Sequence, residues 1–471
     1  MPVADSLASR FARLQAAARN APNPSLAVRE RRLRTLDRLL SEHEAALIDA
    51  IAQDFGHRSP AETRLFELFP SHQALRHAQR HLRRWLRPQR RPVGVWFLPG
   101  RAEVRHYPLG AVGVMVPWNY PLYLAVAPLA SALAAGNRAL VKMSERTPAT
   151  AALFAELLAR HFADDELAVV EGDVSVARDF ASLPFDHLLF TGSTAVGRAV
   201  MRAAADNLTP VTLELGGKSP AIIGPGLSGQ QFAHAVERIV IGKCLNAGQT
   251  CIAPDYVLLP AGQEEDFVAA ARRVVATCYP DLARTPDYSA LIDARHFAHL
   301  NALLAEAREA GTRVVELAPG VVADAQRRRL PPLALLNPRD DLRVMQEEIF
   351  GPLLPVCGYA SLDEALAQVN RRPRPLALYY FDRNPAHIER VLDGTLSGGV
   401  TINDVILHIA QDELPFGGVG ESGMGRYHGY AGFQTFSVAQ AVFRQSRLAG
   451  IGLFKPPYGA LFDHLTRLML R

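Results

Sequence analysis

Short apolar runs alternate with helical stretches from residue 111 to about 211, and no other feature limits the fold of this chain as strongly. The runs 111–116, 138–142, 168–170 and 187–191 are too short for helices, whereas helical segments separate them. Consecutive strands joined by helical crossovers must run parallel, so the region predicts βαβ units on a Rossmann-like parallel sheet, an α/β fold. A second α/β region is expected from about 212 to 403, with strands at 219–223, 255–259, 314–317 and 376–381. Residues 5–85 read as helices, on spacings such as Leu33, Leu36, Leu39 and Leu40. Between 87 and 107 the pattern changes to β-formers (Val93, Val95, Phe97, then Val104 and His106) around Pro99-Gly100, which predicts a hairpin.

The uncharged stretch 110–136, GAVGVMVPWNYPLYLAVAPLASALAAG, is long enough to cross a bilayer. Pro117, Pro121 and Pro128 interrupt it, so a buried strand, a loop and a buried helix from about Pro121 are expected instead. The N-terminal MPVADSLASRFARLQAAARN is amphipathic but has no secretory apolar core, and the end of the chain suits at most a small amphipathic helix, so no membrane anchor is expected. With 49% hydrophobic residues and a net charge of +4, the chain is not disordered. Its four cysteines (Cys244, Cys251, Cys278 and Cys357) cannot staple 471 residues, which points to the reducing cytoplasm. The arginine clusters at 29–38 and 80–91 are expected to be solvated helix faces rather than a nucleic-acid surface, because acidic residues balance the total.

The most chemical stretch is Asn246-Ala-Gly-Gln-Thr-Cys251. A lone cysteine is either a small buried hydrophobe or a nucleophile whose thiolate must be stabilised. No histidine or second cysteine stands at ligand spacing, so no metal is expected, and Cys278 and Cys357 are assigned to the core. Glu214, set between two leucines, is either a general base with a raised pKa or the partner of Lys218. Asn119 carries an amide into an apolar loop beside Trp118 and must find a partner there, a substrate oxygen being one candidate. Lys142 and Glu145, at the end of a strand, are either ligands of an adenosine ribose or a surface charge pair. The turn Gly192-Ser193-Thr194-Ala195-Val196-Gly197 joins a strand to a helix and presents N–H groups suited to a pyrophosphate, or is a capped structural turn. Glu348 and Phe350 place an acid beside an aromatic ring before a Gly-Pro turn.

In this order PWNYP, FTGSTAVG, LELGGKSP, NAGQTC and EEIFGP resemble the sequence blocks of the aldehyde dehydrogenase superfamily, and the segment ending in FQTFS extends the likeness to about residue 437. The chain resembles the short, class-3-like members, and most of all the bacterial coniferyl-aldehyde dehydrogenases. The resemblance implies an NAD(P)-dependent oxidation of an aldehyde, with an aromatic substrate and NAD favoured. It makes Cys251 the nucleophile, Glu214 the general base and Asn119 an oxyanion donor. It sets Lys142 and Glu145 by the adenosine ribose, Gly192, Ser193 and Gly197 by the pyrophosphate, and Glu348, Phe350 and Trp118 by the nicotinamide side. It implies a cofactor domain (1–86 and 107–211), a catalytic domain (212–403) and a bridging element (87–106 and 430–445) that supports a homodimer. Loops near Trp118, Tyr120 and His408 are expected to line the substrate tunnel. Family members usually carry proline after the lysine, where this chain has Met143. Two other readings share these residues: a CoA-acylating relative, and a non-enzymatic Arg-rich binding protein on the same fold.

Overall fold

The computed structural model describes residues 6–448 and 450–470; the first five residues of the amphipathic N-terminus lie outside the described residues. Three sheets organise the described residues. The first contains β3 (Ala111–Met115), β4 (Arg138–Lys142), β5 (Leu167–Val170), β6 (His187–Thr191), β7 (Val211–Glu214) and β15 (Gly423–Met424), in the order β15-β7-β6-β3-β4-β5. All its pairings are parallel except that of β15 with β7. This sheet runs past the boundary expected at 211/212, because β7 hydrogen-bonds to β6 through Glu214.

The second sheet holds β8 (Pro220–Ile223), β9 (Tyr256–Pro260), β10 (Arg313–Glu316), β11 (Leu333–Leu336), β12 (Leu353–Tyr359), β13 (Ala377–Phe381) and β14 (Gly399–Ile402), in the order β10-β11-β12-β9-β8-β13-β14. The third is a small antiparallel sheet in which β2 (Arg101–Pro108) lies between β1 (Gln89–Arg91) and β16 (Ser437–Arg444). The hairpin expected around Pro99-Gly100 is thus present as β1 and β2, with a 3-10 turn at Val95–Phe97 in its connection.

The uncharged stretch is a core element rather than a membrane span. Strand β3 is buried throughout, and every residue of the helix Tyr123–Ala135 is buried. Its cap explains a sequence feature read differently above. Arg29 and Arg32 are 1% and 3% exposed and are not a solvated face. The Arg29 guanidinium donates to the carbonyl of Ala134 at 3.0 Å and that of Arg32 to the carbonyl of Asn137 at 3.2 Å, satisfying acceptors at the helix C-terminus where cations are favoured. No described helix is long and apolar enough to cross a membrane. The helix Ala460–Met469 near the C-terminus buries no side chain.

Candidate active site

Residues at the carboxyl ends of the first sheet meet the segment that carries Cys251: Asn119, after β3, bonds to Gln249, and Glu214, at the end of β7, is near the thiol. The strand order turns at β3, with β4 on one side and β6 on the other. Open α/β sheets bind ligands at such a switch point, beyond the carboxyl ends of the strands. Trp118 and Asn119 follow β3, Lys142 ends β4, and Gly192 and Ser193 follow β6. Ser193 caps the helix Thr194–Ala205 by accepting from the Val196 N–H at 3.4 Å. Gly192 and Gly197 allow close packing, since a Cβ would meet the Phe190 ring at 2.5 Å and Leu215 at 2.6 Å. Next to them the Thr191 hydroxyl is buried without a hydrogen-bond partner. Lys142 is not half of a surface pair: its side chain is buried and its ammonium donates to the carbonyls of Met143 (2.6 Å) and Gly172 (2.8 Å). Glu145 is exposed, and among the described residues it forms no ion pair with Lys142.

The thiol side is built by a left-handed turn. Asn246, Ala247 and Gly248 have φ of 50°, 51° and 78°, a conformation that L side chains adopt only when surrounding contacts hold it. Those contacts are buried. The Asn246 N–H donates to Glu62 at 2.9 Å, and Asn246 Nδ2 reaches the carbonyls of Asn119 and Gln249, both at 3.1 Å. Gln249 Nε2 donates to the carbonyls of Asn246 and Ala290, and Gln249 Oε1 accepts from the Ile292 N–H. Arg58, 1% exposed, donates to the Asn119 carbonyl at 2.9 Å. Arg58 and Glu62 stand almost 200 residues before the turn, and nothing in the sequence distinguishes them from ordinary helix polar residues.

Asn119 is 3% exposed, and its Nδ2 donates to the carbonyl of Gln249 at 3.2 Å. A carboxamide has two N–H donors, so one remains for a ligand oxygen. Glu214 is 2% exposed, and among the described residues both its carboxylate oxygens lack a hydrogen-bond partner. The pairing with Lys218 does not form, because Lys218 is bound to Asp255 and to the carbonyls of Val344 and Glu347. Burial therefore pushes the Glu214 carboxyl well above its usual range, with Arg426 opposing only in part. Burial also pushes Glu348 up to about 8 and the Cys251 thiol up to about 12. The carboxylates of Glu348 and Glu214 are close enough to add to the thiol's shift. The Glu348 carboxylate packs against Gly216, where any Cβ would displace it. Phe350, at a φ of 53°, meets Trp118 edge-to-face with ring centroids 5.3 Å apart, and the Arg146 guanidinium lies 4.4 Å from the Trp118 ring centroid.

One expectation fails here. Cys278 is exposed and lines the cavity leading to Cys251, whereas Cys357 is in the core as expected. The loops expected at the tunnel do line that cavity, through Tyr120 and through Leu407 and Ile409 on either side of His408, whereas Trp118 packs against Phe350 and His408 itself is buried and stacked on Phe416. The cavity encloses about 680 Å³ and its walls are mostly apolar, with Phe66, Phe69, Tyr123 and Ile409 among them.

Comparison with known proteins agrees with this geometry. The model described as the aldehyde dehydrogenase family matches residues 5–442. A protein of Pseudomonas aeruginosa named "Probable coniferyl aldehyde dehydrogenase" is 53% identical over 462 residues, covering 98% of this chain and 96% of its own. The coniferyl aldehyde dehydrogenase of Pseudomonas sp. strain HR199 is 46% identical over 448 residues, 94% and 92% of the two chains. Among solved structures, the substrate-bound state of Staphylococcus aureus AldH superposes with a TM-score of 0.91 at 34% identity, over 99% of this chain and 100% of that one. PnpE in complex with nicotinamide adenine dinucleotide superposes with a TM-score of 0.83 at 26% identity, over 94% and 90%. The chain belongs to the aldehyde dehydrogenase family and is an NAD(P)-dependent oxidoreductase that acts on aldehydes.

Proposed function

We propose that this enzyme oxidises a neutral, largely apolar aryl aldehyde of the coniferyl-aldehyde type to its carboxylic acid, with NAD favoured as acceptor. One observation carries the substrate class: an apolar cavity ends at Cys251, and acidic groups outnumber cations on its wall. Among the described residues Glu62, Asp287 and Asp412 line it with one cation, Arg238, which is paired with Asp404 at 2.7 Å; Glu62 is in turn 3.8 Å from Arg58, which leaves Asp287 and Asp412. An aromatic ring is favoured there by burial, and a carboxylate-bearing aldehyde is repelled. The names of the Pseudomonas relatives support the same class.

In this reading the Cys251 sulfur bonds to the aldehyde carbon as the carbonyl pair moves to oxygen, and the thiol proton passes by way of the Glu214 carboxylate to solvent. The free Asn119 N–H and the Cys251 backbone N–H hold the oxyanion; one such donor is typically worth about 2.7–4 kcal/mol. NAD, when bound, supplies the acceptor for the hydride that leaves the tetrahedral carbon. Glu214 then takes a proton from water as the water oxygen attacks the thioester, and the Cys251 thiolate departs. Burial makes the Glu214 carboxylate a stronger base than a solvated one, so its ionised form takes that proton.

Lys142 and Glu145 would hold the adenosine ribose, Gly192, Ser193 and Gly197 the pyrophosphate, and Glu348, Phe350 and Trp118 the nicotinamide half. The exposed Glu145 carboxylate opposes a 2′-phosphate, which favours NAD over NADP. In this account 1–86 with 107–211 bind the cofactor, 212–403 carry the thiol, and 87–106 with 430–445 form the element that bridges a homodimer. Exposed Trp96, Phe97 and Phe443 on that element fit a partner surface. A cytoplasmic location fits a chemistry that depends on a free thiol.

The test is steady-state kinetics with NAD and NADP over neutral aryl, aliphatic and carboxylate-bearing aldehydes, with the products identified. Highest kcat/KM for aryl aldehydes and formation of free acid are expected. A preference for anionic aldehydes, or acyl-CoA as the product when CoA is supplied, would overturn the reading.

A further inference from the structure

A cluster of metal-ligand side chains stands outside the site described above. His77 and His81 lie one turn apart on the helix Phe69–Trp85, so both rings project from one face. Their centroids are 4.2 Å apart, and Trp85 packs beside both. Glu413 reaches them from the loop after β14: its Oε1 is 3.3 Å from His77 Nε2 and 3.9 Å from His81 Nε2. One ligand atom from each of the three lies within 4.8 Å of the others.

Two features set this cluster apart from a chance meeting of polar groups. His77 is 5% exposed, and its Nε2 is buried without a hydrogen-bond partner while aimed at Glu413. His81 Nδ1 lies 2.9 Å from the carbonyl of His77. A carbonyl only accepts, so this nitrogen carries the proton and Nε2 is left with its lone pair, the tautomer a metal takes. On the far side of His77, Asp412 Oδ2 lies 4.0 Å from Nδ1.

We propose that His77, His81 and Glu413 form a binding site for a divalent transition-metal ion of the zinc, cobalt or nickel type. Imidazole and carboxylate ligands suit these ions. Tetrahedral coordination with metal–ligand bonds of about 2.0–2.1 Å requires ligand atoms about 3.3 Å apart. The His77–Glu413 pair has that spacing, and small side-chain rotations bring His81 to it. Arg84, 3.8 Å from Glu413 Oε1, must swing away, which its 66% exposed side chain permits. Asp412 lines the cavity to Cys251 as well as facing His77, so the ion would fix one wall of the substrate route.

A metal also binds free thiolates, and Cys278 is exposed, so the test uses the Cys251→Ala/Cys278→Ser protein. Titration with cobalt(II), read by visible absorption and by calorimetry, is expected to show one tight equivalent per chain with a tetrahedral absorption band. His81→Ala and Glu413→Gln, each placed in that background, are expected to weaken binding at least tenfold. Both positions are solvent-accessible, and circular dichroism confirms that each variant is folded. Absence of the band in the Cys251→Ala/Cys278→Ser protein, or affinity unchanged in both folded variants, would overturn the proposal. Because aldehyde oxidation is not measured, failure here leaves the catalytic reading intact.

Discussion

Asn119 Nδ2 donates to the main-chain carbonyl of Gln249 at 3.2 Å, which ties the loop after β3 to the turn that delivers Cys251. The residue that would hold the oxyanion is thereby aligned by the segment that carries the nucleophile. The same bond leaves the second Asn119 N–H unassigned, and no rearrangement is needed to use it.

Asn119→Ala removes that donor. We expect kcat/KM to fall by about 10²–10³-fold, with the dissociation constant for NAD unchanged. Stopped-flow measurement of the hydride-transfer burst, paired with equilibrium cofactor titration, separates the two. A rate within a few-fold of the parent would remove Asn119 from the mechanism.

Glu214→Gln tests the buried carboxylate through stability. The folded-state pKa of Glu214 is raised, so the native protein holds a proton that the unfolded chain releases. Stability is therefore lost as pH rises from the ordinary glutamate value toward the folded one. The variant is expected to melt a few degrees above the parent at pH 8, with the gap closing toward pH 5. Equal melting temperatures across that range would mean that the carboxylate is not isolated as described.

Arg58→Met probes the second layer. Arg58 is buried between Glu62 and Glu67, at 3.8 and 3.9 Å, and holds the Asn119 carbonyl. Breaking a buried ion pair by removing one partner typically costs about 3–5 kcal/mol. Denaturant unfolding should show a loss of that order, and the folded fraction should show a lower kcat, because Asn119 is no longer fixed.

The parallel strands β3, β4, β5 and β6 were legible because each is a short apolar run between helical segments. Strands β11 and β12 were missed: LALL and LLPVCGY stand next to prolines and show no alternation, since central strands buried on both faces need none. The two-residue β15 is defined only by its partner β7. Cys251, Glu214 and Asn119 stood out because polar groups in apolar sequence demand an explanation. Arg58 and Glu62 did not, because their role depends on a contact made across almost 200 residues. Arg29 and Arg32 were misread for the same reason: charge patterning along a helix cannot show which guanidinium meets the carbonyls of a distant helix end.

The central claim is that Cys251 carries the acyl group and Glu214 releases it. Glu214→Gln enzyme mixed with NAD and an aryl aldehyde, quenched in acid and digested, should yield the Cys251 peptide heavier by the mass of the acyl group. An unmodified Cys251 peptide during turnover, or the acyl mass found on Cys278 instead, would contradict the account.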